Sequence, residues 1–158
     1  MISTSYHNHS DWSDGTSSIA EMFQAGKDSG LREFGLSDHQ VLHPEKDSDA
    51  GSWSMKADRL GSYVNECLHW KKRLDDEQFT IRIGLEVDFF AENYREVLDL
   101  LRGFPFDYLI GAVHYCGTFP IDHSPGLWQA LRQPQIDEIW LCYWRKIRQL
   151  AATRSFDF

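Results

Sequence analysis

Five side chains with the chemistry of metal ligands recur at comparable points along the sequence, each at the end of a short apolar run. His7 and His9 follow Ile2–Tyr6, and His39 follows Glu33–Leu36 after Ser37 and Asp38. Glu86 closes the alternation Ile81, Ile83, Leu85, and His114 directly follows Tyr108–Val113. Residues two apart on an extended backbone project to the same side, so His7 and His9 could grip one ion together. Imidazole suits zinc, iron and manganese, and the two oxygens of a carboxylate let Glu86 bridge two ions. A single histidine more often packs or meets solvent, which is the reading given to His69, His43 and His123. The argument for the other four rests on coincidence of place.

Three carboxylates and a thiol stand beside this set. Asp14 lies in the turn Ser13-Asp14-Gly15, where aspartate commonly bonds its own backbone, so turn residue and ligand stay equally open. Asp38 precedes His39 and on a strand faces the other way, which favours a hydrogen-bonding role over ligation. Asp88 shares the parity of Glu86 and ranks with Asp38 as a secondary candidate; a solvated carboxylate at a strand end is the commoner explanation. Cys116 reads as a small buried thiol rather than a ligand. Trp12, Trp53 and Trp128 fall in loops and could wall a pocket.

The elements that must position these residues follow from hydrophobic period and punctuation. A strand over Ile2–Tyr6 is followed by a helix opened by the Ser18/Glu21 capping box and ended at Gly30. A strand at Glu33–Leu36 runs into a polar loop reaching about Ser54. A helix carrying Leu60, Tyr63, Val64, Cys67, Leu68 and Leu74 leads to a strand at Ile81–Val87. A helix with Tyr94, Val97, Leu98 and Leu101 leads to a strand at Tyr108–Val113. After a long loop at 115–134, a helix opens near Pro134 with an apolar stripe through Trp140, Trp144 and Leu150, and a fifth strand is expected from Phe156. Strand alternating with helix argues for right-handed βαβ units and a parallel sheet, hence an α/β fold. In such folds the C-terminal strand ends converge on one face, where active sites assemble. All five candidate ligands are expected there.

Composition narrows the function. A chain of 158 residues, 42% hydrophobic and 25% charged, has the balance of one globular domain. Its 16 basic and 24 acidic residues leave a net charge of −8 with the cations scattered, which excludes a nucleic-acid surface. No basic segment followed by an apolar core opens the sequence, and no window approaches the roughly 18 apolar residues of a membrane span. The three cysteines include no Cys-x-x-Cys pair, so neither a disulfide framework nor a cysteine zinc site is indicated. A reduced, cytoplasmic protein is expected.

Taken in order, His7-Asn8-His9, Ser13-Asp14-Gly15, Ser37-Asp38-His39, Gly84-Leu85-Glu86-Val87-Asp88 and the run Phe106–His114 resemble the polymerase and histidinol phosphatase (PHP) family of metal-dependent phosphoesterases. The Gly84–Asp88 segment, the run Gly111–Tyr115 and Phe119-Pro120-Ile121-Asp122 are most similar to its histidinol-phosphatase branch. The resemblance implies the N-terminal portion of a distorted (β/α)7, TIM-like barrel with two or three divalent ions at the C-terminal strand ends, the ions being zinc, iron or manganese. It implies that His7 and His9 hold one ion, that Glu86 bridges it to a second bound by His114, and that Asp14 and His39 belong to a third. The implied reaction is hydrolysis of L-histidinol phosphate to L-histidinol and phosphate, in histidine biosynthesis, by a metal-bound hydroxide held by His7, His9, Glu86 and His114. Other phosphoesterase substrates, an amide-cleaving barrel metallohydrolase and a non-catalytic metal-binding domain are the alternatives. The family pattern continues past Phe158 with a further histidine and an Asp-x-His, and such barrels take roughly 250 residues. The expectation is one domain over residues 1–158, incomplete at its C-terminus. Its partners would be a small phosphorylated substrate and either a second copy or a missing C-terminal half.

Overall fold

The computed structural model of the protein describes residues 3–45 and 53–158. Strands and helices alternate as the apolar patterning requires: β1 (Thr4–Ser5), α1 (Ile19–Asp28), β2 (Glu33–Leu36) and β3 (His39–Gln40) come first. A 3₁₀ turn at Ala57–Arg59 opens α2 (Leu60–Leu74), followed by β4 (Thr80–Asp88), α3 (Tyr94–Leu101) and β5 (Tyr108–Ala112). The hairpin β6 (Tyr115–Cys116) and β7 (Phe119–Pro120), the short α4 (Pro125–Gln129) and the long α5 (Gln133–Thr153) complete the order. The capping box expected at α1 is present: the Ser18 hydroxyl accepts from the Glu21 amide, and the Glu21 carboxylate accepts from the Ser18 amide. Amides that the first turn cannot pair internally are thereby satisfied.

β1, β2, β4 and β5 lie side by side, all parallel, in the order in which the chain makes them. β3 continues β2 along the same side of β4 and sets His39 opposite Glu86. Between the two pieces the Glu86 amide faces the carbonyls of Ser37 and Asp38 at 3.2 and 3.1 Å. Sequential parallel strands with helices on one side follow the progression of a (β/α) barrel, not of a doubly wound sheet.

Parity along β4 separates packing from chemistry. Ile81, Ile83, Leu85 and Val87 are buried in one cluster with Ile19 and Phe23 of α1, Leu60 and Val64 of α2, and Val97 and Leu101 of α3. Each such side chain contributes about 1.5–3 kcal/mol by leaving water. The alternate residues Gly84, Glu86 and Asp88 face the concave side. There the Tyr108 hydroxyl reaches across β4 and donates to the carbonyls of Tyr6 and Leu36 at 2.6 and 3.0 Å. Its ring occupies the space that Cβ atoms on Gly35 and Gly84 would need.

Several sequence expectations change in detail. The 115–134 loop contains the antiparallel β6–β7 hairpin, turned through Gly117 at φ 61°, and also α4; strands of two residues are too short to leave a periodic signal. The segment from Phe156 forms no regular strand, yet it lies along β5: Asp157 N donates to Leu109 O at 2.9 Å and Gly111 N to Phe158 O at 3.0 Å. Within the described residues the first strand is confined to Thr4–Ser5; Met1, Ile2 and residues 46–52 of the expected polar loop lie outside them. The stripe on α5 is incompletely covered, with Trp140 42%, Leu141 66% and Trp144 59% exposed. Among the described residues, no helix is long and apolar enough to cross a membrane.

Gly84→Ala is expected to destabilise the chain by about 1–3 kcal/mol, because the new methyl would meet the Tyr108 ring beneath a backbone held on both sides. A lower urea midpoint with an unchanged slope is the expected result.

Candidate metal centre

The ends of β1, β3, β4 and β5 bring four imidazoles onto one carboxylate. His7 Nε2 lies 2.8 Å from Glu86 Oε2, His9 Nε2 3.0 Å and His39 Nδ1 3.2 Å from the same oxygen. His114 Nε2 stands 3.4 Å from the other oxygen, Oε1. Asp14 joins from the loop after β1, its Oδ1 2.9 Å from His9 Nδ1 and its Oδ2 3.7 Å from His39 Nε2. Three donor sets result, each with ligand atoms within 4.8 Å of one another: His7, His9 and Glu86; His9, Asp14 and His39; His39, Glu86 and His114. All six residues ranked first from the sequence are therefore gathered in one place.

Local structure explains how each is aimed. His7 and His9 leave the extended segment on the same side, with ring centroids 5.2 Å apart. Asn8 between them turns the other way and donates to the carbonyl of Gly35 at 2.9 Å, so the chain is tied to β2 between its two ligands. The loop bearing Asp14 is anchored by Asp38, which is fully buried. Its carboxylate accepts from the Ser10 amide (2.8 Å), the Ser10 hydroxyl (2.8 Å) and the Ser13 hydroxyl (2.7 Å). The Gly15 amide closes the turn on the Ser10 carbonyl at 2.9 Å, where a Cβ on Gly15 would strike backbone. Asp38 thus faces away from the imidazoles, as strand parity requires. Asp88 is also buried; its Oδ1 accepts the backbone amide of His114 at 2.9 Å.

Charge in the cluster is strongly coupled. Burial opposes ionisation of Glu86, but the close approach of the His114 and His9 imidazoles outweighs it and holds the carboxyl well below the usual range. Burial pushes His39 down to about 4, and the fields of His9 and His114 add to that effect. For His114 burial acts in the same sense, yet Asp88 and Glu86 overcome it and raise the group to about 10. Divalent cations bind neutral imidazole and carboxylate together, so an ion here would take the place of the His114 proton in balancing Glu86. The buried His9 Nε2 and His39 Nδ1 make no hydrogen bond of acceptable geometry, which also fits donors arranged for an ion.

Beside the cluster is a cavity of about 250 Å³ lined by Asp14, His39, Trp53, Pro120, Asp122 and His123. Trp53 is the wall that the sequence suggested, with its ring centroid 4.6 Å from that of His39 and 5.5 Å from that of His114. Trp12 instead packs on Tyr63 and donates to Glu66, while Trp128 stacks on Trp140 and lines a separate, open pocket with Ile121, Asp122 and Pro125. Asp122 also approaches the cluster, 3.9 Å from His114 Nε2; the sequence marked it only as the end of Phe119-Pro120-Ile121-Asp122 and gave it no role. His123 lines the cavity, His43 bonds the Gly117 carbonyl at 3.0 Å, and His69 is exposed on α2.

With fold and centre in view, comparison with known proteins is decisive. A model of the PHP domain matches residues 5–157. The chain belongs to the PHP family. A Deinococcus radiodurans protein named "Probable histidinol-phosphatase" is 29% identical over 146 residues, covering 90% of this PHP chain and 53% of that protein. A protein of the same name from Schizosaccharomyces pombe is 28% identical over 120 residues, covering 73% and 39%. The chain thus spans about half the length of the curated relatives it matches. Among solved structures, HisK of Listeria monocytogenes superposes with a TM-score of 0.66 at 22% identity, over 78% of this chain and 50% of that one. The histidinol phosphate phosphatase of Lactococcus lactis, crystallised with zinc, L-histidinol and phosphate, gives 0.60 at 23% identity, over 75% and 42%. These likenesses identify the fold as part of the TIM-like PHP barrel. PHP phosphoesterases use divalent metals, and the three donor sets here have the residues for them.

Asp38→Ala is expected to destabilise the chain by about 2–3 kcal/mol, since it strands the buried Ser10 amide and frees the loop that carries Asp14. Chemical denaturation checks the magnitude, and faster amide exchange confined to residues 10–15 checks the location.

Proposed function

We propose that this chain is the N-terminal, metal-binding part of a phosphomonoesterase that hydrolyses L-histidinol phosphate to L-histidinol and phosphate, in histidine biosynthesis. The observation that carries the reading is the sharing of Glu86 between two donor sets, with a third set joined through His9 and His39. His7, His9 and Glu86 would hold one ion, Glu86 and His114 a second, and Asp14 with His39 a third. His39 presents Nδ1 to Glu86 and Nε2 to Asp14, so with Asp14 it would hold a third ion through Nε2. Divalent ions there supply an activated water and neutralise the phosphoryl oxygens, the two needs of phosphate-ester hydrolysis near neutral pH.

The chain's own groups do the rest. Glu86 holds its two neighbouring donor sets in register, and Asp38 keeps the Asp14 loop at the correct height. The cavity above them offers the Asp122 carboxylate and the Trp53 ring to the cationic amine and imidazole of histidinol. A diffuse net charge of −8 does not repel the dianion from this point, because local divalent charge dominates within a Debye length of about 8–10 Å. No arginine or lysine lines the cavity among the described residues, so the second half of the barrel is assigned the side chains that grip phosphate. The working environment is the cytoplasm, and the partners are this small substrate and the other half of the barrel, supplied by the same polypeptide or by a second copy.

The zinc-loaded chain is expected to release phosphate from L-histidinol phosphate in preference to a generic phosphomonoester, a phosphodiester or an amide, and to lose that activity to a chelator. His114→Ala and Glu86→Gln should each lower kcat/KM by about 100-fold or more. Preferential amide cleavage would reverse the reaction class. Bound zinc without turnover of any ester would point to a fragment that needs the other half of its barrel or to a non-catalytic metal-binding domain, and activity restored by the other half would separate the two. Independently of turnover, zinc should raise Tm, because it binds the folded state alone, and Glu86→Gln should remove most of the rise.

A further inference from the structure

The concave parity of β4 delivers two carboxylates to the centre, and only Glu86 faces the shared donors. Asp88 is buried one step further along the strand, its side chain wholly inaccessible. One of its oxygens is used: Oδ1 accepts the backbone amide of His114 at 2.9 Å. The other, Oδ2, has no hydrogen-bond partner, and neither has His114 Nδ1, which is likewise buried. These two atoms face each other at 3.6 Å. The opposite ring nitrogen, Nε2, points to Glu86 Oε1 at 3.4 Å and to Asp122 Oδ2 at 3.9 Å. The β4–β5 register sets Asp88 opposite Ala112, so the strand pairing itself carries His114 past the Asp88 carboxylate.

We propose that Asp88 is a positioning residue for His114, holding the ring with its proton on Nδ1 and so leaving the Nε2 lone pair for the metal. The inference rests on the reading of His114 as a ligand. A neutral imidazole has one donor and one acceptor nitrogen, and the partner of the first decides which is free to ligate. A carboxylate accepts only, so Asp88 can stabilise just one of the two tautomers. It also holds the backbone at the same residue, which locks ring rotation and chain position together. A separation of 3.6 Å is longer than a hydrogen bond, so the proposal requires the ring and the carboxylate to close by a few tenths of an ångström when the ring is ligated.

Lys146 of α5 supports this arrangement from behind. Its ammonium donates to the Tyr115 carbonyl at 2.8 Å and lies 4.3 Å from the centre of the Phe90 ring. The residue after His114 is therefore tied to α5, and the His114 backbone is fixed from both sides.

Asp88→Asn tests the proposal with almost no change of shape. Asparagine has a single oxygen, and if that keeps the His114 amide, its NH2 faces Nδ1 and favours the proton on Nε2, the wrong nitrogen. Zinc affinity would be measured by competition with a chromophoric chelator, and ring-nitrogen shifts by long-range 1H–15N spectra of the zinc-loaded, 15N-histidine protein. In the parent, His114 should show protonated Nδ1 and a zinc-shifted Nε2. In Asp88→Asn, with an unchanged Tm of the metal-free protein, zinc affinity should fall about 10–100-fold and the zinc-shifted Nε2 signal should be lost. Asp88→Ala should weaken zinc comparably but leave the ring without a preferred tautomer. His114→Ala separates the premise from the inference. If it binds as much zinc as the parent, His114 is no ligand and the proposal falls with that reading. If it loses zinc while both Asp88 variants match the parent in affinity and ring shifts, the proposal alone is overturned.

Discussion

An ionised carboxylate taken out of water must be given opposing charge or hydrogen-bond donors, and Glu86 is the point where this chain meets that demand. Only 5% of its side chain is accessible, and four imidazoles approach its two oxygens between 2.8 and 3.4 Å. No single element could supply them. They come from the ends of β1, β3 and β5, so an ionised Glu86 requires the parallel strands to be in register and their ends level. The same requirement explains the break between β2 and β3, where the backbone at Ser37 and Asp38 shifts so that His39 stands directly opposite Glu86.

β4 answers two physical problems with one periodicity. Its outward residues, Ile81 to Val87 at alternate positions, bury apolar surface under three helices and account for much of the local stability. Its inward residues progress from Gly84, which makes room for Tyr108, through Glu86 at the centre to Asp88 behind His114. The candidate ligand sits near the end of the strand and the packing where it is central, so Glu86 is held by a strand buried among three helices. Asp38 and Asp88 complete the pattern: each is a buried carboxylate that orders backbone next to a ligand, one at the Asp14 loop and one at His114.

Beyond β5 the order loosens. The segment 156–158 lies along β5 through a few backbone hydrogen bonds, and α5 leaves Leu141 and Trp144 more than half exposed. Both features lie near β5, and the chain spans about half the length of the curated relatives it matches. The centre is correspondingly built from one side, its open face turned toward the cavity bounded by Trp53 and Asp122.

Much of this was legible in the sequence because local rules suffice for it. The period-two spacing of His7 and His9, the capping box of α1, the helix–strand alternation and the strand-end position of His7, His9, His39, Glu86 and His114 depend on neighbours a few residues apart. The roles of Asp38 and Asp88 were half legible: parity set Asp38 apart from the candidate ligands, but Asp88, a secondary candidate more readily read as a solvated strand-end carboxylate, proves to be buried. Only tertiary structure decided that the Asp88 carboxylate meets the His114 amide, because a contact spanning 26 residues depends on strand register that no local pattern encodes. The β6–β7 hairpin, α4 and the approach of Asp122 to His114 escaped for a related reason. Elements of two to five residues have too few positions for a period to emerge, and their place is set by what they pack against.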